Sequence, residues 1–335
     1  MALQRKIIIG ISIGDPNGIG IEVILKTFED KKMYDFFTPI VFGSLKIMSF
    51  QKKHFNLNTE ITILKDIKKP KTNQLNIINV LDQDYKVKFG KVSKKAGEIS
   101  LKSLEASTKA LIQNNISALV TAPINKSNIQ TERFNYNGHT EYFNDKLEGD
   151  SLMLMVSRKF KVGLLTEHIN IKDINSYFSS YLIEKKVRII EESLKKDFGI
   201  SSPSIAVLSL NPHVGDNGII GDQDKQILTP TIKKINKKGV FAFGPYSADS
   251  FFGTKKYLEF DAVLAIYHDQ GLIPFKLVSF GKGVNFTAGL NKIRTSPDHG
   301  TGYDIAGKGI ANKESFIEAL LLARKILIRR SKKRI

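Results

Sequence analysis

Residues Ala262–Lys276 read AVLAIYHDQGLIPFK. An apolar run ends in an imidazole and a carboxylate, His268 and Asp269, then a glycine, then Lys276. A continuous apolar run, rather than an alternating one, is what a strand covered on both faces requires. Ala262–Tyr267 is therefore predicted to be an inner strand of a largely parallel sheet. Polar side chains gathered at its carboxyl end sit where open α/β sheets bind ligands.

Working outward, the same pattern recurs along the chain. Candidate strands are KIIIGISI (6–13), TPIVFGS (38–44), TEITIL (59–64), LNIINV (75–80), SALVTAP (117–123) and LMLMVS (152–157). They continue with KVGLLT (161–166), SIAVLSL (204–210), VFAFGP (240–245), DAVLAIY (261–267) and GVNFTAG (283–289). Between several of them lie stretches of helical period: GIEVILKTFED (20–30), GEISLKSLEASTKALIQNN (97–115) and IEKKVRIIEESLKKDFG (183–199). Strand and helix in alternation predict an α/β fold. Many of the apolar runs end in Gly, Pro, Asn, Asp or His, as in ISIGDPNGIG, ALVTAPINK, LLTEHI, LSLNPHVGDNG, FGPYSAD and AIYHDQG. That points to one composite site along the carboxyl edge of the sheet.

A length of 335 residues, at about 150 per domain, predicts two domains. No cysteine is present, which excludes disulfides and thiolate metal sites and is compatible with a cytoplasmic protein. The start, MALQRKIIIGISIGDPNG, is broken at Gly14–Pro16 and reads as a first buried strand rather than a signal peptide. No apolar run approaches the roughly 18 residues of a membrane span. The net charge of +18 raises nucleic-acid binding, but the basic residues are scattered and not interleaved with aromatics. They read as a lysine-rich surface, with one dense block in the tail IRRSKKRI (328–335). No nucleic acid and no membrane are expected as partners.

Five of the six histidines, His139, His168, His213, His268 and His299, fall in the Gly/Asn/Asp-dense segments. Only His54 lies in a plain helix-like stretch. His168, His213 and His268 each follow an apolar run; three neutral imidazoles with an open position would make a catalytic metal site. Their spacing matches no local metal motif, so hydrogen-bonded structural histidines remain the alternative. Asp249 and Asp269 could orient imidazoles or move protons, whereas the Asp216, Asp222 and Asp224 cluster reads as a turn. Lys276, Asn285 and Arg294 are candidates for anion binding, Arg294 as a fork and Lys276 as a point charge. In GHTEYF, Thr140 is predicted to cap a helix beginning at Glu141, where an anion could also bind. GDPNGIG is a tight turn without the G-x-G-x-x-G or G-x-x-x-x-G-K-[ST] spacing.

Seven of these segments in order, GDPNGIGIE, VTAPINK, GHTEYF, LNPHVGDNGIIGDQD, GPYSADSFF, IYHDQGLIPFK and GVNFTAGLNKIRTSPDHGTGYDIAG, resemble the 4-hydroxythreonine-4-phosphate dehydrogenase family of vitamin B6 (pyridoxal phosphate) biosynthesis. The resemblance implies a two-domain α/β/α fold similar to isocitrate and isopropylmalate dehydrogenases, with the active-site cleft between domains. The domains would be 1–135 plus 282–335, and 136–281, the latter carrying the metal histidines and the dimer interface. It implies a homodimer with shared active sites, and a divalent ion, zinc with magnesium or cobalt as alternatives, on His168, His213 and His268. The first two would come from one subunit and His268 from the other. Substrate would be bound by His139, Thr140, Lys276, Asn285 and Arg294, and NAD, with NADP as alternative, would be the oxidant; no cofactor-binding residue is assigned. The reaction implied is oxidation of 4-phosphooxy-L-threonine at C3, then decarboxylation to 3-amino-2-oxopropyl phosphate. Lys276 or Asp249 would accept the proton. The alternatives are a dehydrogenase of D-threonate or D-erythronate 4-phosphate, and a phosphate-handling transferase. The sequence departs from the family pattern at Asn17, Ile21, Glu167, Asn291 and Lys292.

Overall fold

The computed structural model describes residues 7–81 and 84–332. The chain forms two compact units, each built of a sheet with helices: Met1–Glu148 with Asn291–Ile328, and Gly149–Leu290 with Arg329–Ile335.

The first unit contains β1 (Ile8–Ser12), β2 (Thr38–Gly43), β3 (Ile61–Ile63), β4 (Leu75–Asn79), β5 (Ala118–Thr121) and β12 (Arg294–Pro297). They run in the order β3-β4-β2-β1-β5-β12, every pair parallel. Parallel neighbours need crossovers, supplied here by helices such as α1 (Gly20–Glu29) and α2 (Lys94–Ile112). Coverage on both faces explains why Ile9, Ile11, Ile40, Val41, Leu119 and Val120 are all inaccessible to solvent. The turn after β1 is held by its own buried polar groups. Gly14 has φ +64°, and a Cβ there would meet the carbonyl oxygen of Pro123 at 2.2 Å, so only glycine fits.

The second unit contains β6 (Gly149–Val156), β7 (Lys161–Leu164), β8 (Ser204–Leu208), β9 (Phe241–Tyr246), β10 (Ala262–Ala265) and β11 (Val284–Leu290). Their order is β11-β6-β7-β10-β8-β9. β7, β10, β8 and β9 are parallel, while β6 is antiparallel to both β7 and β11. Met153, Met155, Val162, Leu164, Ala206, Leu208, Val263 and Ala265 form its core with Phe160, Phe251 and Phe275.

All eleven predicted strands are present, and the pairing is mainly parallel. A twelfth strand, Arg294–Pro297, escaped prediction. The units divide at 148/149 and 290/291 rather than at the expected 135/136 and 281/282. The helix α3 (His139–Lys146) belongs with the first unit, where Tyr142 stacks on Phe134 at 5.5 Å. β11 pairs with β6 from Val284 to Leu290, which keeps that segment in the second unit. The basic block at the carboxyl end is described as far as Lys332; Lys333–Ile335 lie outside the described residues. Within it Arg330 is structural, its Nε donating to Asp197 Oδ1 at 2.6 Å. No described helix is long and apolar enough to cross a membrane.

Candidate active site

The opening segment behaves as its composition requires, with one refinement. β10 ends at Ala265, and His268 is the first residue of helix α4 (His268–Ser279). β7 and β10 are parallel neighbours, so their carboxyl ends coincide. That brings His168 beside His268, with ring centroids 5.8 Å apart and planes tilted by 42°. The two rings line a pocket of about 260 Å³ with Thr166, Glu167, Tyr267 and Asp269. Asp269 Oδ1 lies 2.7 Å from His268 Nδ1. A carboxylate only accepts, so Nδ1 carries the proton, and in the neutral ring Nε2 is the nitrogen with a lone pair for a ligand. Glu167, a departure from the family pattern, accepts the Met153 N–H at 3.1 Å and so ties the end of β7 to β6.

His213 does not line this pocket. Among the described residues, His168, His213 and His268 of one chain do not approach closely enough to share an ion. The resemblance allots His168 and His213 to one subunit; within one chain it is His168 and His268 that meet. His213 opens a left-handed turn, with φ of 51° at His213, 57° at Val214, 42° at Asp216 and 57° at Asn217. Each such residue costs about 1–2 kcal/mol. The compensation comes from Asp224, fully buried, which accepts the N–H groups of Leu210 at 2.8 Å and Asn211 at 2.9 Å and the Asn211 amide at 3.0 Å. The aspartate cluster read as a turn therefore contains the anchor of the His213 loop. The same loop reaches Asp249 through Ser247. The His213 N–H donates to Ser247 Oγ at 3.3 Å, and that hydroxyl donates to Asp249 Oδ1 at 2.7 Å. The Ser247 hydroxyl, the Ser250 N–H and His213 hold the Asp249 carboxyl below its usual range, which makes it a weak base.

The remaining candidates in this unit are separate. Lys276 is exposed on α4 and does not line the histidine pocket. Asn285 stands on β11 opposite Met155, with its Oδ1 buried and, among the described residues, accepting no hydrogen bond.

In the first unit, Arg294 at the start of β12 is almost wholly buried. Its Nε and Nη2 both donate to Thr121 Oγ1, at 3.1 and 2.7 Å. Its guanidinium lies 5.5 Å from the Phe143 ring. Burial pushes its pKa down to about 9, against the favourable charge of Glu141, and it stays cationic at neutral pH. His139 stacks on Phe143 at 6.2 Å, and its Nε2 is cut off from solvent without a hydrogen-bond partner among the described residues. Burial, then the charges of Arg294 and Lys126, hold this imidazole well below its usual pKa of 6.5. A buried cation beside a neutral, unsatisfied imidazole is suited to receive an anion carrying its own acceptors. Thr140 lies inside α3 rather than at its cap: the helix starts at His139 after Gly138. The His–Thr pair occupies the first turn itself, where N–H groups are unpaired. GDPNG is structural. Asp15 accepts from Asn128 at 2.8 Å and Tyr303 at 2.7 Å, and Asn17 Oδ1 accepts from Tyr85 and Lys88, both at 2.9 Å.

Comparison with known proteins places this arrangement. The family model described as "Pyridoxal phosphate biosynthetic protein PdxA" matches residues 35–323. The chain belongs to the PdxA family. A 4-hydroxythreonine-4-phosphate dehydrogenase of Bacteroides thetaiotaomicron is 45% identical, over 96% of this chain and 88% of that protein. An Oceanobacillus iheyensis relative, provisionally named a D-threonate 4-phosphate dehydrogenase, is 34% identical over 95% of this chain and 97% of its own. The crystal structure of a 4-hydroxythreonine-4-phosphate dehydrogenase from Klebsiella pneumoniae superposes with TM-score 0.82 at 32% identity, covering 96% of this chain and 99% of that one. An isocitrate dehydrogenase from Methylococcus capsulatus shares the fold alone, with TM-score 0.50 at 12% identity over 98% of this chain and 88% of that one.

Proposed function

We propose that this PdxA-family oxidoreductase uses NAD, and a divalent ion, to oxidise 4-phosphooxy-L-threonine to 2-amino-3-oxo-4-phosphooxybutanoate. That β-keto acid then decarboxylates to 3-amino-2-oxopropyl phosphate on the route to pyridoxal 5′-phosphate. The observation that carries the reading is the pair His168 and His268 in one open pocket, with Asp269 fixing the His268 tautomer, in a chain 45% identical to an enzyme of that name. A donor set of three imidazole nitrogens would suit zinc. His168 and His268 of one protomer would hold the ion with His213 of the partner subunit. When bound, a divalent ion acts as a Lewis acid on the substrate hydroxyl and carboxyl oxygens.

This chain's own residues supply the rest. In the first unit Arg294, His139 and Thr140 are the residues that would bind the anionic groups of the substrate, and in the second unit Lys276 and Asn285 are the candidates; holding those charges is what fixes a reacting carbon against the nicotinamide. His139, being neutral, can donate one hydrogen bond to a substrate oxygen without adding charge. The candidate proton acceptors are Asp249, a carboxylate held below its usual range, and Lys276, which accepts a proton only as the free amine. Homodimer formation is supported by the outer face of α4, where Ile273 and Leu277, one turn apart, are 57% and 75% exposed, and by Phe280 at its C-cap, 87% exposed. Ile219, in the loop of His213, is 84% exposed.

A second reading, oxidation of D-threonate 4-phosphate, is favoured by the Oceanobacillus relative, at lower identity. Purified protein with NAD and zinc, assayed for NADH formation against 4-phosphooxy-L-threonine, D-threonate 4-phosphate and D-erythronate 4-phosphate, separates the two. Preferential turnover of the amino acid is expected. Turnover confined to a sugar acid would establish the second reading instead.

A further inference from the structure

We infer that Gln270 is a positioning residue for the metal donors: its amide ties the strand end bearing His268 to the loop bearing His213. This rests on the metal reading of those histidines.

Backbone pairing between β8 and β10 runs from Ile205/Ala262 to Val207/Leu264 and stops there. Beyond it the chains part, one entering α4 at His268 and the other the left-handed turn at His213. On the other flank of β10 the main chain carries on. The Leu165 N–H donates to Ala265 O at 2.8 Å, and the Thr166 N–H and hydroxyl both donate to Ile266 O, at 3.2 and 2.7 Å. The ends bearing His168 and His268 are thus joined by backbone.

On the His213 flank, among the described residues, the Gln270 side chain makes the link. Its Oε1 accepts the Ile266 N–H at 2.7 Å, and its Nε2 donates to Ser209 O at 2.8 Å. Ser209 is itself fixed, its N–H donating to Tyr246 O and its hydroxyl to Asn211 O, both at 2.8 Å. The next two N–H groups, of Leu210 and Asn211, are held by Asp224. One amide therefore pins the chain just before His268 and just before the His213 turn. A glutamine early in a helix commonly bonds back to its own helix start. The second bond, to a carbonyl on another strand end, is outside that pattern. It also explains the residue type: only an amide of this length accepts from an N–H and donates to a C=O at once.

The test compares the full-length wild type, His213→Ala, Gln270→Met and Gln270→Asn. Zinc affinity is read by competition with a chromophoric chelator, the visible spectrum of the cobalt(II)-substituted protein reports donor geometry, and circular dichroism reports folding. Gln270→Met, folded, is expected to bind zinc about ten- to a hundredfold more weakly, as loss of groups behind metal ligands typically does, with a changed cobalt spectrum. Wild-type affinity and spectrum in that folded variant would overturn the inference. If Gln270→Met does not fold, Gln270→Asn, which keeps the amide but is one methylene too short to span both partners, is read the same way. Should His213→Ala bind zinc as tightly as the wild type, the metal reading itself is at fault and the inference falls with it.

Discussion

The imidazoles of His168 and His268 face each other at 5.8 Å because two parallel strands end side by side. Each ring follows a four-residue strand, Lys161–Leu164 and Ala262–Ala265, paired from Val162/Val263 to Leu164/Ala265. Sheet pairing, not local sequence, makes the pair. Neither ring supports the core, since His168 is exposed and His268 is 40% exposed. Structural and chemical roles are therefore separable here.

Replacing either ring by alanine is expected to abolish tight zinc binding and lower kcat at least a thousandfold. Stability should stay within about 0.5 kcal/mol, as for exposed positions generally. Metal analysis after gel filtration, paired with urea unfolding, checks both halves. Chelator treatment of the wild type should reproduce the activity loss, and added zinc should reverse it.

His54 is the matching control. Its ring packs on Phe55 at 4.9 Å and Phe89 at 4.8 Å, and its Nε2 lies 2.8 Å from Gly307 O. His54→Ala should cost about 1 kcal/mol of stability through that lost contact and hydrogen bond, with metal content and kcat unchanged. Loss of zinc in this variant would mean that the histidines were misassigned.

How much of this could be read from the residues varies with the range of the interactions involved. Strands that are apolar throughout, such as AVLA and IAVL, announce themselves because burial on both faces leaves no room for polar side chains. β12 did not, because RTSP carries an arginine, two hydroxyls and a proline, and is a strand through tertiary pairing such as that with β5. Its burial in turn makes Arg294 a buried cation, with Thr121 as acceptor. Thr121 looked like the end of an apolar run, and nothing nearby in sequence marks it as the partner of Arg294. Asp224 reads as part of a turn because its three donors lie thirteen or fourteen residues upstream. Thr140 reads as a cap because Ser and Thr favour that position, but a glycine precedes the helix and histidine begins it.

Arg294 and Thr121 form a testable pair. Thr121→Val keeps the shape but strips the acceptor from two donors of a buried guanidinium, a loss of about 1–3 kcal/mol or more for a charged group. The variant should unfold at lower urea and show a raised KM for the phosphorylated substrate. Arg294→Lys keeps the charge but not the fork, and should lower kcat/KM about a hundredfold. An unchanged KM in both variants would remove Arg294 from substrate binding.

His139 gives stability a pH dependence of defined sign. Burial and the charges of Arg294 and Lys126 lower its pKa well below 6.5 in the native protein, while the unfolded chain titrates near 6.5. Below that value the unfolded state takes up a proton that the native state does not. The contribution is therefore complete above about pH 6.5 and is lost as pH falls, by at most ~1.4 kcal/mol per pH unit. His139→Gln should flatten the fall in urea midpoint between about pH 6.5 and pH 5. An equally steep fall in the variant would assign the acid sensitivity to other groups.

If the outer face of α4 is the contact between two copies, assembly and metal binding are linked. Leu277 and Phe280 are 75% and 87% exposed, and burying such side chains against a second copy would contribute about 1.5–3 kcal/mol each. A charge at Leu277 would have to be desolvated in the dimer, so Leu277→Asp should shift the protein to monomer, measured by sedimentation. If His213 of the partner subunit completes the ion site, the monomer keeps His168 and His268 but loses a third donor. Its zinc affinity should then fall by orders of magnitude although the substitution touches no histidine. Mixing Leu277→Asp with excess His213→Ala would not restore binding, because neither protein offers both a partner surface and the third imidazole. A monomer that binds zinc as the wild type does would show that one chain closes the site by itself, through movement of the His213 loop.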